Sequence, residues 1–205
     1  MRVIFEPRLT ADLSVIEYYE YSVQENEHLY GRGKRLVLFT QGCTIRCKGC
    51  INSHLWERGK GKYISADELV KACEENDVEG VTLHGGEPLC QAEELLPFVK
   101  RIKDMGLTVI LFTGYNKKEL SLAQKKVWNF ADIVVCGRYD EGKRNCNLQF
   151  RGSTNQRVVR RKGKYKDYKV ADGKSVSILE VDDEGNLKVK GFLTDAVKEL
   201  IDFID

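Results

Sequence analysis

The chain has 205 residues, 42% hydrophobic and 31% charged, and its 33 Lys and Arg nearly balance 31 Asp and Glu, for a formal net charge of +2. That balance does not point to a general nucleic-acid binder, and no apolar run approaches the roughly 20 residues of a membrane-spanning helix. The length suits one domain with a real core, and seven cysteines, with no secretory pattern in the opening MRVIFEPRLT, suggest a reduced, cytoplasmic setting.

Near the start, SVIEYYEYSV reads as a strand before the core. Residues 35–40, RLVLFT, are a short apolar run ending in a Gly-containing loop, the pattern of a buried strand. The loop that follows, TQGCTIRCKGCIN, sets Cys43, Cys47 and Cys50 in Cys-x3-Cys-x2-Cys spacing. Ser65 and Glu68 form a capping box, with Ile64 and Leu69 placed as a hydrophobic staple, ahead of a helix burying Leu69, Val70 and Cys73. VTLHGGEPL is a second core strand ending in a glycine turn. A helix over about Gln91–Met105 contains Pro97, so it either starts there or kinks, and Gly106 is placed to cap its end. TVILFTGY is a third core strand, ending in Thr113-Gly114-Tyr115. Asn116 and Glu119 repeat the capping pattern before a third helix to about Asn129, and DIVVC at 132–136 is a fourth strand. Arg157–Val159 or nearby supplies a later strand. Residues 175–190 read as a hairpin turning at Asp183-Glu184-Gly185-Asn186, and Thr194 caps a last amphipathic helix with Val197, Leu200, Ile201 and Ile204 on one face.

Alternating strands and helices predict parallel strands with right-handed crossovers, in a partial α/β barrel. Sites in such sheets form at the carboxyl ends of the strands. Cys43–Cys50, Gly85–Pro88 and Thr113–Tyr115 therefore meet at one face. Within the single domain, a core over 1–160 with its N-terminal strand is expected, and a C-terminal basic segment, hairpin and helix over 161–205 packed on that core.

Iron–sulfur cubanes are normally held by four thiolates. Three from one loop can hold a cubane and leave one iron open, which is where chemistry happens. The alternative is a structural zinc site, with His54 four residues past Cys50 as the fourth ligand. Gly85 and Gly86 lack side chains, so backbone there can approach a ligand closely. His84 reads as a packing histidine. Arg46 and Lys48 can tune a cluster or meet a reductant, or simply be exposed charges. Cys73, Cys90, Cys136 and Cys146 lack close spacing and read as free thiols. Residues 157–169 hold seven Lys or Arg and one Asp, whereas 11–28 hold five Asp or Glu and no Lys or Arg. The basic run reads as a solvated hairpin, or as a surface for an acidic partner.

The cysteine loop followed by Gly85-Gly86-Glu87-Pro88 resembles the radical S-adenosylmethionine enzymes. GCTIRCKGCINSHLW, LFTGY, ADIVVCGRYD and Arg151-Gly152-Ser153-Thr154-Asn155-Gln156-Arg157 resemble one branch more closely, the activating enzymes of anaerobic ribonucleotide reductase. The resemblance covers roughly residues 15–160. It implies an open barrel of about six strands, of (β/α)6 type. It implies that Cys43, Cys47 and Cys50 ligate a [4Fe-4S] cluster, through which they are catalytic. It implies that Gly85, Gly86 and Glu87 meet the methionine end of S-adenosylmethionine, that Thr113 and Gly114 continue the pocket, and that Asn155 and Gln156 line its ligand or partner side. The activity implied is reductive cleavage of S-adenosylmethionine by this oxidoreductase, and hydrogen abstraction from a glycine of a partner, anaerobic ribonucleotide reductase, to leave a glycyl radical. A flavodoxin- or ferredoxin-type reductant would supply the electron. Many members of the superfamily carry an aromatic residue before the third cysteine, where it meets adenine; Gly49 stands there, as in the reductase-activating branch, and Trp56 and Tyr115 are candidates for that contact. The alternatives are a radical enzyme acting on a peptide or small molecule, and a non-catalytic iron–sulfur carrier or zinc-binding module. The segment beyond residue 160 lies outside the branch pattern.

Overall fold

The computed structural model describes residues 14–160, 163–181, 187–191 and 197. The expected hairpin turn at 183–186 and all of the last helix except Val197 lie outside them.

Seven strands form one sheet in the order β3-β1-β2-β4-β5-β6-β7. The central four are parallel: β2 (Arg35–Thr40), β4 (Gly80–Gly85), β5 (Thr108–Thr113) and β6 (Ile133–Cys136). The flanks depart from the all-parallel expectation. β1 (Val15–Gln24) runs antiparallel to both β2 and β3 (Lys62–Ser65), and β7 (Arg157–Arg160) runs antiparallel to β6. An antiparallel partner needs no helical crossover: the loop over 137–156 returns β7 to β6, and only the four-residue α1 (Glu27–Tyr30) lies between β1 and β2. β3 and β7 are the two ends of the order and do not pair with each other. A separate hairpin pairs β8 (Ser177–Val181) with β9 (Leu187–Gly191).

Strand side chains alternate between faces, and the two faces are covered differently. Leu36, Leu38, Val81, Leu83, Val109, Leu111 and Val134 pack under α2 (Ala66–Glu75), α3 (Ala92–Asp104) and α4 (Leu122–Phe130). These strands begin and end on the same side, so their carboxyl ends carry the intervening loops together. On the other face, Ile110, Ile133 and Val135 meet Phe150, Tyr165 and Tyr168, while Val37 meets Leu29 and Tyr30 of the short helix α1 (Glu27–Tyr30) and Ile178 of the hairpin. At the amino end of this face the fully buried Arg35 donates to the hydroxyls of Thr82 (2.7 Å), Thr108 (2.9 Å) and Tyr165 (3.1 Å) and to the Val81 carbonyl. A buried guanidinium needs all its donors met; here neutral oxygens meet them.

The Ser65–Glu68 capping box forms as expected. The second helix begins at Ala92 and runs through Pro97, and it ends in a Schellman motif in which Gly106, at φ +75°, donates to Lys103 and Leu107 donates to Ile102. The third helix begins later than predicted. Asn116 and Glu119 cap only a single tight turn, and a second box, Ser121 with Gln124, starts α4.

Candidate active site

The three strand ends expected to meet do so around one cavity of about 420 Å³, lined by Cys43, Cys47 and Cys50 together with Gly85, Gly86, Glu87, Thr113 and Gly114. All three thiols are free and half-buried. Two backbone bonds pin the start of their loop to the chain just beyond it, Gly42 N–H to Leu55 C=O (2.7 Å) and Cys43 N–H to Trp56 C=O (3.0 Å). Burial pushes the Cys43 and Cys47 thiols up, offset in part by nearby backbone amides.

The glycine turn holds this loop to the next strand. Gly86 N–H donates to Thr40 C=O at 2.8 Å and Glu87 N–H to Gly42 C=O at 2.9 Å. A Cβ on Gly85 would lie 2.5 Å from the Thr40 nitrogen, and one on Gly86 2.5 Å from the Gly42 oxygen. These glycines therefore permit close approach of two backbones as well as exposure to the cavity. The amides of Gly86 and Glu87 are both engaged inside the protein.

Glu87 lines the cavity and is also engaged within the protein. It is buried, and its carboxylate accepts the Thr113 hydroxyl (2.8 Å), the Gly114 amide (2.7 Å) and the Leu89 amide (3.0 Å). Burial raises its pKa to about 7, against the opposing pull of those donors. Gly114 in turn abuts the cysteine loop, since a Cβ there would meet the Ile45 side chain at 2.6 Å. His84 sits between Phe39 and Phe112, with ring centroids at 5.1 and 4.4 Å, and its Nδ1 accepts the Gly85 amide. Burial lowers its pKa to about 4, which leaves it neutral with the proton on Nε2.

Gly49 has a local reason. Its φ is +72°, and a Cβ there would lie 2.7 Å from Glu141 Oε1, whose partner oxygen pairs with Lys48 at 3.4 Å. Glu141 belongs to a wall that reading the sequence for single sites missed: Tyr139 and Glu141, with Phe112, Val135 and Phe150, also line the cavity. The signal was present in ADIVVCGRYD, whose Tyr139 is one of them. Gln156 knits this wall together, accepting the Gly152 amide (2.8 Å) and donating to Gly137 C=O (3.0 Å). Asn155 donates instead to Arg138 C=O (2.9 Å) and is not among the lining residues. Of the two aromatic candidates, Trp56 lines the cavity, whereas Tyr115 lies outside it and bonds the Thr44 hydroxyl at 3.0 Å. Cys73 and Cys136 are buried, and Cys90 and Cys146 half-buried.

Among the described residues, no three His, Cys, Asp or Glu side chains converge as a single metal ion would require. His54, the candidate zinc ligand, packs edge-on against Tyr19 at 5.2 Å. A cubane spreads its thiolate ligands over separate irons, and three free thiols on one cavity wall fit that donor set.

Residues 29–159 match the family described as a 4Fe-4S single cluster domain. The chain is 33% identical over 161 residues to the anaerobic ribonucleoside-triphosphate reductase-activating protein of Haemophilus influenzae, covering 72% of this chain and 98% of that one. It is 31% identical to the protein of the same name in Escherichia coli K12, over 62% of this chain and 89% of the relative, and 31% identical to that of Enterobacteria phage T4, over 62% and 85%. Among solved structures, QueE from Escherichia coli aligns with a TM-score of 0.43 and 19% identity over 51% of this chain and 54% of that one.

Proposed function

Because the chain belongs to the family of anaerobic ribonucleoside-triphosphate reductase-activating proteins, we propose that it binds a [4Fe-4S] cluster and S-adenosylmethionine and takes a hydrogen from a glycine of an anaerobic ribonucleotide reductase, leaving a glycyl radical there. The observation that carries this reading is the one cavity that three free thiols, the glycine turn and the Thr113–Gly114 strand end share. When bound, the reduced cluster and S-adenosylmethionine supply the one-electron cleavage that produces the hydrogen-abstracting species.

The chain's own residues do the rest. Cys43, Cys47 and Cys50, as thiolates, would hold the cluster, and no fourth cysteine lines the cavity among the described residues. Gly85 and Gly86 let that loop lie directly on the second strand end. Glu87 fastens the third strand end to the second through Thr113 and Gly114. Ile45, Phe112, Val135 and Phe150 give the cavity apolar walls that exclude water from a reactive species. Lys48, whose side chain is 92% exposed beside the cysteines, is where we place the approach of a flavodoxin- or ferredoxin-type electron donor. We read the sheet as an open, partial (β/α)6-type barrel; helices on one face and the cavity at the carboxyl ends support that reading.

The test is anaerobic reconstitution with iron and sulfide, reduction, and addition of S-adenosylmethionine, with 5′-deoxyadenosine and methionine followed by chromatography. Both products are expected, and adding the reductase should yield a glycyl-radical signal by electron paramagnetic resonance. An intact, reducible cluster that cleaves nothing even with the reductase present would favour the electron-carrier reading.

A further inference from the structure

Phe150 lines the active-site cavity in a backbone conformation that residues with a side chain rarely adopt. Its φ is +66°, and among the described residues only Arg46 and Asp77 join it as non-glycines at positive φ. A bulky ring held there needs surroundings that over-determine it. Those surroundings come from residues 168–173, beyond the span 29–159 that the family description matches. Gln149, buried just before Phe150, accepts the Ala171 amide at 2.6 Å and donates to the Tyr168 hydroxyl at 2.6 Å and to the Glu27 carbonyl at 3.2 Å. Its own backbone amide donates to the Asp172 carboxylate at 3.0 Å. Arg151, just after Phe150, donates to both oxygens of that carboxylate, at 2.7 and 2.6 Å. The Gly173 amide donates to the Asn147 carbonyl at 2.7 Å. The Phe150 ring itself stacks on Tyr168, with centroids 6.0 Å apart and planes 20° from parallel, and the Arg32 guanidinium lies 4.9 Å from the Tyr168 ring centre. Both sequence neighbours of the strained residue, and its ring, are thus tied to one short segment.

Resting on the activase reading above, we propose that Phe150 is a specificity-determining residue of the reaction, and that Gln149 and Asp172 are positioning residues that hold it in the cavity wall. Phe150 belongs to neither the cysteine loop nor the glycine turn, so moving it leaves the supports of the cluster in place. It alters instead the apolar wall that confines the reactive species, where a misplacement of about 1 Å is costly to a transfer step. A hydrogen atom passed from the partner's glycine gives one 5′-deoxyadenosine and one glycyl radical. A hydrogen atom taken instead from a thiol reductant in solution gives one 5′-deoxyadenosine and a thiyl radical, and no glycyl radical. The brace from residues 168–173 fixes which of these two donors is used. A segment outside the matched cluster domain therefore governs the fidelity of the reaction.

The experiment uses the full chain, reconstituted with its cluster, and the full-length anaerobic reductase. Phe150→4-fluorophenylalanine supplies a fluorine resonance, read with the cluster oxidised. Gln149→Leu and Asp172→Ala should each shift or split that resonance. Without the label, both should raise the 5′-deoxyadenosine formed per glycyl radical by about tenfold, with the iron content kept. A general loss of structure would lower both products together and leave their ratio where it was. Should Gln149→Leu fail to fold, Asp172→Ala carries both readouts, since the Asp172 side chain is 45% exposed. A resonance that neither variant moves removes the brace. A resonance that moves while the ratio stays at the wild-type value removes Phe150 from control of the reaction. In both cases a wild type that makes the glycyl radical leaves the activase reading standing. A wild type that makes none takes down that reading, and the control of the hydrogen donor with it.

Discussion

Thr113 donates its hydroxyl to Glu87 across 2.8 Å, so the end of the third parallel strand is tied to the turn after the second. The same carboxylate takes the Gly114 and Leu89 amides. Removing it leaves three buried donors unmet, each costing about 1–3 kcal/mol. Glu87→Ala should therefore lower the stability of the metal-free protein by several kcal/mol, and Glu87→Gln, which keeps one acceptor oxygen, by less. Urea unfolding measures both; equal losses would show that hydrogen-bond acceptance at this point matters little.

The pH dependence of that stability has two opposing parts. Folding raises Glu87 from 4.5 to about 7, so between those values the folded chain holds a proton that the unfolded chain has released. Its contribution is present below pH 4.5 and lost as pH rises to 7. Folding lowers His84 from 6.5 to about 4, so its contribution is present above pH 6.5 and lost as pH falls to 4. Between pH 4.5 and 6.5 the two slopes oppose. Relative to the wild type, metal-free Glu87→Gln should gain stability as pH rises through this window, and His84→Asn should lose it. Slopes of the same sign in the two variants would sink the assignment.

The turn glycines separate by what they touch. Gly86→Ala pushes a methyl into the Gly42 carbonyl, rigid backbone at the root of the cysteine loop, and should lose both stability and cluster retention. Gly49→Ala meets only the end of the Glu141 side chain, which can swing aside, and carries the strain of φ +72°. It should cost about 1–2 kcal/mol and retain the cluster. Thermal unfolding and iron content distinguish them.

Cys47→Ser should abolish the full iron and sulfide complement after anaerobic reconstitution, whereas Cys73→Ser and Cys90→Ser should not. Neither Cys73 nor Cys90 lines the cavity. Iron retained in full by Cys47→Ser would remove Cys47 from the ligand set.

The parallel core was legible because RLVLFT, VTLHGG and TVILFT are short, mostly apolar runs ending in glycine or threonine, and both faces of such strands are covered. The cysteine spacing was legible because it is local. Glu87 was placed in the site, but its bonds to Thr113 and Gly114 were not legible, because they span residues far apart in sequence and depend on strand order. Tyr139 stood within ADIVVCGRYD, but that the stretch from Tyr139 to Glu141 walls the cavity stayed hidden for the same reason. Its approach to Gly49 is a tertiary contact, and no pattern within either segment carries it. The start of α4 was misplaced by two capping boxes in succession, the first of which closes only one turn.

Tyr165 and Tyr168, buried against Ile110, Ile133 and Val135, come from chain made after every strand of the main sheet. A chain lacking them would keep the cysteines and both of their partner strand ends, while part of the floor beneath, over Ile110, Ile133 and Val135, lost its cover. A nascent chain stopped near residue 160 would show water the apolar underside of its finished sheet, a surface that invites aggregation. Truncation near residue 160 should therefore lower solubility, even though every strand of the main sheet and all three loop cysteines would remain.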